Sequence, residues 1–476
     1  MRHFKKLLTF IFISSFLCAL GSFSSCGEKP NLPSYSVSLD YSQGVIHGKL
    51  VYKFVNSYNS TFNHLKFNLH ANAYSDKAES LPAPSSNLAK AYPSGVSYGG
   101  IEITSVRSIG RELDFSTSQN GQILTVETGA IFPNEQMTVD IEFVTTVPKS
   151  RLRLGENESG VNLGDCFPVA MVIENGRFVE IPYSPIGDPY YSDVSDYFVS
   201  VTVPSSFSVA SSGYPEGTEV KGDKTTYSYS LLSGRDFALA LSEKYNVLST
   251  SSDGITIYYY TFKENAQNEM DLIINCTKFF EKTFGDYPYD SLSVAETEFA
   301  FGGMEYSGLA IVDKDLSAEE FVFATVHEIA HQWWHGGVGN NQYADAYIDE
   351  GLAEVSTYLY LLNTDERLAS DMIFNAKSAY KSFFELSDIL SGNLDTSLSR
   401  PLSSFKNEYE YANLCYNKSL VMFCEYLNAV GLDKGVAKLS RLYKNNLNKN
   451  IGLDQIINEL GYGEHFKSFV FGNVLI

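Results

Sequence analysis

Hydrophobic and polar positions alternate along the first half of the chain. Tyr35-Ser-Val-Ser-Leu39 and Val45-Ile-His-Gly-Lys-Leu-Val51 show the period of two, or the β-branched enrichment, of strands with one buried face. Asp193–Val203 and Thr225–Leu231 read the same way, and clusters of Gly, Pro, Asn and Ser punctuate the runs. Between Ser34 and Val247 no helix-period run of useful length occurs, which predicts an all-β domain of sandwich or curved-sheet type. Two stretches, Glu79–Gly100 and Glu174–Pro189, are loops long enough to be functional.

After Val247 the pattern changes. Ile255–Thr261 and Ser291–Thr297 read as strands, and Asn265–Thr283 as a helix stopped by Gly285 and Pro288. A second helix opens at Ser317, where Ser-Ala-Glu-Glu320 forms a capping box, and runs to His335 before Gly336-Gly337. A third spans about Ala346 to Leu362, and the remainder is mostly helical in pattern. The expected fold class is therefore multi-domain α+β. A β-sheet domain over residues 27–247 precedes a mixed domain over 248–476 with a helical C-terminal lobe.

Composition narrows the class. The 476 residues, 44% hydrophobic and 19% charged, suit a globular chain of two or more domains. A formal charge of −21 excludes nucleic acid as a partner, since phosphate backbones call for surplus Lys and Arg. At the N-terminus, Arg2, Lys5 and Lys6 precede an apolar run from Leu7 to Leu20, the architecture of a secretory signal. Cys26, after Ser24-Ser25, stands where a bacterial lipoprotein signal places its lipidated cysteine. Residues 1–26 are thus expected to direct export, with membrane contact only through a lipid on Cys26 and the protein facing the periplasm or cell exterior. Cys166, Cys276, Cys415 and Cys424 form no C-x-x-C pair and read as unpaired thiols.

The chemistry lies in His327-Glu328-Ile-Ala-His331, an H-E-x-x-H motif on the second helix. Residues i and i+4 share a helix face, so both imidazoles can reach one ion, and Glu328 sits beside the first of them as a general base. Zinc needs a third protein ligand. Two residues offer one: Glu350, after an 18-residue gap and near the start of the next helix, and His335, one turn beyond His331. His335 abuts the Gly-Gly helix stop and otherwise reads as a capping or surface residue. Glu354, one turn past Glu350, can orient a ligand imidazole through its second N–H.

With its neighbours the motif resembles the gluzincin zinc aminopeptidases of the aminopeptidase N and leukotriene-hydrolase family. The resemblance rests on His327-Glu-Ile-Ala-His-Gln-Trp-Trp334, the 18-residue gap and Asp349-Glu350-Gly351. Gly302-Gly303-Met304-Glu305-Tyr306, 22 residues before His327, is similar to the family's Gly-x-Met-Glu-Asn strand, and Cys415–Ser419 to its Tyr-x-Lys-Gly segment. The Tyr190–Pro204 and Arg235-Asp-Phe-Ala238 stretches look like its closing β strands. The resemblance implies a thermolysin-like catalytic domain and one Zn2+ per chain on His327, His331 and Glu350. It assigns Glu328 as base, Tyr416 as oxyanion donor, Glu305 as the seat of a peptide's free α-amine, and Gly302, Gly303 and Met304 as substrate-binding. Tyr306 and Ser419 replace the family's Asn and Gly, and its Trp-Phe-Pro-Cys-Phe-Asp-Glu-Pro stretch survives at most as Gly164–Pro168. The chain stops about 60 residues after Tyr416, which leads one to expect a short form without the large helical C-terminal domain, and an open cleft. An endopeptidase or another zinc hydrolase on the same fold, or an idle peptide-binding surface lipoprotein, are the alternatives.

Overall fold

A computed structural model describes residues 32–118, 120–391 and 394–474. The expected signal segment 1–26, Cys26 included, lies outside the described residues.

The period-two runs form an eight-stranded sheet. Its spatial order is Tyr214–Lys221, Lys224–Gly234, Ser195–Pro204, Ser34–Ser42, Val45–Val55, Gln136–Thr146, Gly100–Ser108 and Arg111–Glu112. Ser34–Ser42 and Val45–Val55 bury every second residue, as a sheet with one wet face requires. Ser34–Ser42 runs parallel to Ser195–Pro204 with Val37 opposite Val199, so the first strand of the domain is closed by one of its last. Two four-stranded sheets and a two-stranded one, Ile173–Glu174 with Arg177–Phe178, accompany the eight-stranded sheet. One of them contains Phe62–Asn68 and packs on the buried face of the large sheet, with the rings of Tyr52 and Phe67 5.3 Å apart. This is a sandwich.

After the β strands of the first half, Asn246–Ser252 pairs with Ile255–Thr261 in a further sheet. The five-stranded sheet has the order Asn246–Ser252, Ile255–Thr261, Ser291–Thr297, Leu309–Asp313, Gly303–Tyr306. Its three central strands are parallel, and helix Gln267–Phe284 crosses over between the first two of them. That helix buries Met270, Ile273, Cys276, Thr277, Phe280 and Phe284, a stripe at helical spacing. Gly303–Tyr306 pairs antiparallel with Leu309–Asp313 and forms the edge.

Helix Ala318–Ala330 opens with the expected capping box: Glu320 N–H donates to Ser317 Oγ (3.3 Å) and Ser317 N–H to Glu320 Oε2 (2.9 Å). It ends earlier than predicted. The chain leaves helical geometry at Trp334 and His335, which turns the Trp334 carbonyl toward His331. Helix Tyr347–Thr364 follows. Glu366–Ser391, Ser419–Val430, Leu432–Asn446, Leu453–Leu460 and Gly463–Phe471 build the helical lobe. Cys166, Cys276, Cys415 and Cys424 are buried and free.

Candidate metal centre and substrate cleft

His327 and His331 lie one turn apart at the end of helix Ala318–Ala330, and Glu350 lies in the first turn of Tyr347–Thr364. His327 Nε2 and His331 Nε2 are 3.0 Å apart, and Glu350 Oε2 lies 3.2 and 3.4 Å from them. The outward nitrogens are held elsewhere. His331 Nδ1 donates to the Trp334 carbonyl at 3.1 Å, which leaves Nε2 as a lone pair. Glu354 Oε1 lies 3.0 Å from His327 Nδ1, an ion-pair contact off the line of the ring N–H. The two inward imidazole nitrogens and a carboxylate oxygen thus face one another in a buried space. Such a set is repulsive unless a cation sits among them, and two imidazoles with one carboxylate are a donor set zinc accepts. The site fits one Zn2+.

The second oxygen of Glu350 is engaged by two phenols. Tyr416 and Tyr411 both donate to Oε1, Tyr411 at 3.1 Å. Tyr411 was not singled out from the sequence. It lies five residues before Tyr416, and only the fold brings it to the metal ligand.

Glu328 is buried beside the triad, and its Oε2 has no hydrogen-bond partner. Burial pushes it up to about 8, with His327 and His331 pulling it back and Glu305 and Glu350 adding to the rise. Gly303 makes room for it: a Cβ there would lie 2.2 Å from Glu328 Oε1. Gly302, at φ +94°, adopts a backbone that favours glycine and turns the chain into the edge strand. Gly303 and Glu305 share one face of that strand and line the cavity, as does Gly302. The Met304 side chain points the other way, into an apolar cluster with Ala210, Ala240 and Phe299, and does not line the cavity.

Glu305 is 4% exposed and accepts a hydrogen bond from Gln342 Nε2 at 2.9 Å. Among the described residues no cationic group lies within 4 Å of it. The wall beside it comes from the β domain. Arg153 and Asp188 form a buried ion pair, and Arg153 Nε lies 3.1 Å from Met304 Sδ. Burial pushes Asp188 up to about 7; Arg153 opposes the rise and the charges of Glu305 and Glu350 add to it.

His335 is no surface residue. It is 6% exposed and its Nε2 lies 2.7 Å from Asp236 Oδ2, so it is committed to the β domain and is not a ligand of the triad. The cleft, a cavity of about 1070 Å3, is bridged by contacts between loops and helical lobe. Ser86 Oγ and Asn87 Nδ2, in the long 79–100 loop, donate to Glu408 at 3.0 and 2.7 Å. Gly187, in the second long loop, packs against Leu402 and Tyr411 so closely that a Cβ would meet them within 3 Å. Both loops that stood out by length thus reach the helical lobe across the site.

A parallel-stranded sheet edged by Gly303–Tyr306 lies over a helix pair carrying two histidines and a glutamate, the arrangement expected from the resemblance to gluzincin aminopeptidases. Residues 268–469 match the peptidase family M1 domain. It is 30% identical over 139 residues to aminopeptidase N of Lactobacillus helveticus, covering 26% of this chain and 16% of that protein. It is 23% identical over 233 residues to endoplasmic reticulum aminopeptidase 1 of Rattus norvegicus, covering 45% of this chain and 24% of that one. The chain thus spans between about a sixth and a quarter of these curated relatives. The crystal structure of the M1 zinc metallopeptidase from Deinococcus radiodurans has the same fold, with a TM-score of 0.64 at 14% identity, covering 94% of this chain and 95% of that one.

Proposed function

We propose that the protein is a zinc aminopeptidase that removes N-terminal residues from peptides. One observation carries this reading: Glu305, a buried carboxylate with no cation of its own, lines the same cavity as Glu328 and the three metal ligands. A substrate ammonium supplies the missing charge. The buried Arg153–Asp188 wall beside Glu305 supports an anchor at one end of the cavity, which would put the first peptide bond over the metal ligands.

His327, His331 and Glu350 would hold a zinc ion, which would supply Lewis acidity toward a carbonyl and lower the pKa of water. Glu328, with its unpartnered oxygen and raised proton affinity, takes a proton from the attacking water and passes it to the leaving amine. Tyr416 donates its phenolic O–H to Glu350 Oε1 in the substrate-free site and can turn it to the developing oxyanion. The Gly302-Gly303 edge, with no side chain in the way, accepts an extended peptide as an added strand. The Deinococcus radiodurans neighbour has been crystallised as a mutant bound to a Tyr-Ser-Ala substrate, which is consistent with short peptides as the substrate class.

Aminoacyl p-nitroanilides compared with their N-acetylated forms test the reading. Faster cleavage of the blocked compounds would make the protein an endopeptidase or another hydrolase and remove the anchor role of Glu305. We further propose export as a lipoprotein anchored through Cys26. Metabolic labelling with a fatty acid, lost in Cys26→Ser, tests it, and an unlabelled wild type would refute it.

A further inference from the structure

The mechanism above makes no use of Arg235-Asp236, yet these two residues tie together four parts of the molecule. Arg235 is buried. Its Nε donates to the Gly336 carbonyl (3.2 Å), Nη1 to Ser192 O (3.0 Å) and Asn450 Oδ1 (2.6 Å), and Nη2 to Lys449 O (2.9 Å). Gly339 lets this guanidinium pass, since a Cβ there would sit 2.5 Å from Arg235 Cζ.

Asp236 divides its carboxylate between two elements of the active site. Oδ1 accepts from the Ser307 backbone N–H at 2.7 Å, and Oδ2 pairs with His335 Nε2 at 2.7 Å. Ser307 follows the edge strand, two residues after Glu305. His335 follows the metal-ligand helix, four residues after His331. The Arg235 N–H also donates to Ser307 Oγ at 3.1 Å. From the other side, Gln332 Nε2 donates to the Tyr306 carbonyl (3.0 Å) and Gln332 Oε1 accepts from Gly308 N–H (2.8 Å). One nitrogen of His335 and single oxygens of Glu305 and Asp349 all lie within 4.8 Å of one another, and Gln342 bridges the two carboxylates. The separation between Glu305 and the metal ligands is therefore set by this clamp, not by the short edge strand alone.

We propose that Asp236 and His335 are positioning residues for the recognition of a peptide's free α-ammonium, holding Glu305 at a fixed distance from His327, His331 and Glu350. The proposal rests on the reading of Glu305 as the amine seat. It follows from the demands of register: an anchor selects one peptide bond only if its distance from the reacting centre is constant, and misplacement of about 1 Å costs up to about a hundredfold. A residue that merely stabilised the junction would affect all substrates alike.

The test uses the full chain with Asp236→Ala, Asp236→Asn and His335→Gln. It measures kcat and KM on an aminoacyl p-nitroanilide and on its des-amino analogue, with zinc content alongside. Asp236→Ala is expected to lower kcat/KM for the free-amine substrate about tenfold, carried mainly in KM. The des-amino analogue is expected to lose less than about threefold, so that the preference for a free amine shrinks while zinc stays at one per chain. Asp236→Asn, which can still accept from Ser307, is expected to fall between. If Asp236→Ala does not fold, the other two variants carry the same ratio. An unchanged preference, or equal losses on both substrates, overturns the proposal; loss of zinc in step with activity does so too. A wild type without preference for the free amine refutes the aminopeptidase reading itself, which the variants alone cannot do.

Discussion

Gly303→Ala probes whether the edge strand and the general base are built as one unit. The added Cβ would lie 2.2 Å from Glu328 Oε1, 2.6 Å from Cδ and 2.7 Å from Cγ. Ordinary contact begins at 3.4 Å, so the whole carboxylate must retreat by about 1 Å, since rotation of one oxygen does not relieve three contacts. The backbone at Gly303 does not itself require glycine, so the cost falls on the position of the base and not on folding. A 1 Å displacement of a reacting group costs about 10²-fold, or about 2.7 kcal/mol in ΔG‡. We expect kcat on an aminoacyl p-nitroanilide to fall about 10²-fold with zinc content and thermal midpoint close to wild type. A double-mutant cycle with Glu328→Gln isolates the cause. If the methyl group acts through Glu328, Gly303→Ala adds little to the loss that Glu328→Gln alone produces. Full activity in Gly303→Ala, or additive losses in the double variant, would refute the coupling.

Tyr416→Phe is expected to lower kcat about 10²-fold with little change in KM, as for loss of one oxyanion donor. Tyr411→Phe, whose phenol serves Glu350, should instead weaken zinc retention about tenfold in a chelator titration. Equal effects of the two would contradict this division. Glu408→Ala releases Ser86 and Asn87 and should raise the ratio of long-peptide to dipeptide cleavage several-fold, as read by mass spectrometry of product mixtures; a constant ratio refutes the bridge as a size limit. The His335–Asp236 pair predicts a pH signature. Burial opposes the charged ring, but the hydrogen bond and charge of Asp236, with Glu305 and Asp349, raise its pKa above the ordinary 6.5. The folded state then holds the proton more tightly than the unfolded one, so the stabilisation is complete below about pH 6.5 and is lost as pH rises through the folded value. Urea midpoints of wild type and His335→Gln should converge as pH is raised from 6, and divergence would reverse the sign of the argument.

What could be read from the sequence divides along a physical line. His327, His331 and Glu350 sit on two helices joined within one stretch of 24 residues, so helical periodicity alone places the pair of imidazoles. Helix periodicity does not choose between Glu350 and His335; the resemblance did, and the fold shows why, with His335 turned to Asp236 by the break at Trp334. The same periodicity made the helix seem to reach His335, because a run of Trp and His before two glycines carries no signal of where the turn opens. Met304 reads as part of a binding motif, yet strand alternation sends its side chain to the opposite face from Glu305. Arg153 and Asp188 have no signature, and Asp236 stands only in a stretch that resembles a closing strand: each acts through a contact more than 30 residues away in sequence, and no local pattern encodes such a distance.

These unseen residues all belong to the β domain, and that changes how the catalytic domain should be understood. The metal ligands and Glu328 are complete within residues 327–350, so hydrolysis itself asks little of the β domain. Choosing the first peptide bond asks more. The edge strand is four residues long and hydrogen-bonded on one side, so its own ladder leaves it free to shift. Asp236 pins one end of it, Arg153 packs on Met304 in its middle, and Asp188 closes the wall beside Glu305. The glycine-rich edge proposed to take a peptide backbone is thus stiffened from behind by the β strands of the first half. Changes in the 79–100 and 174–189 loops are accordingly expected to alter which peptides are cut before they alter whether zinc is held.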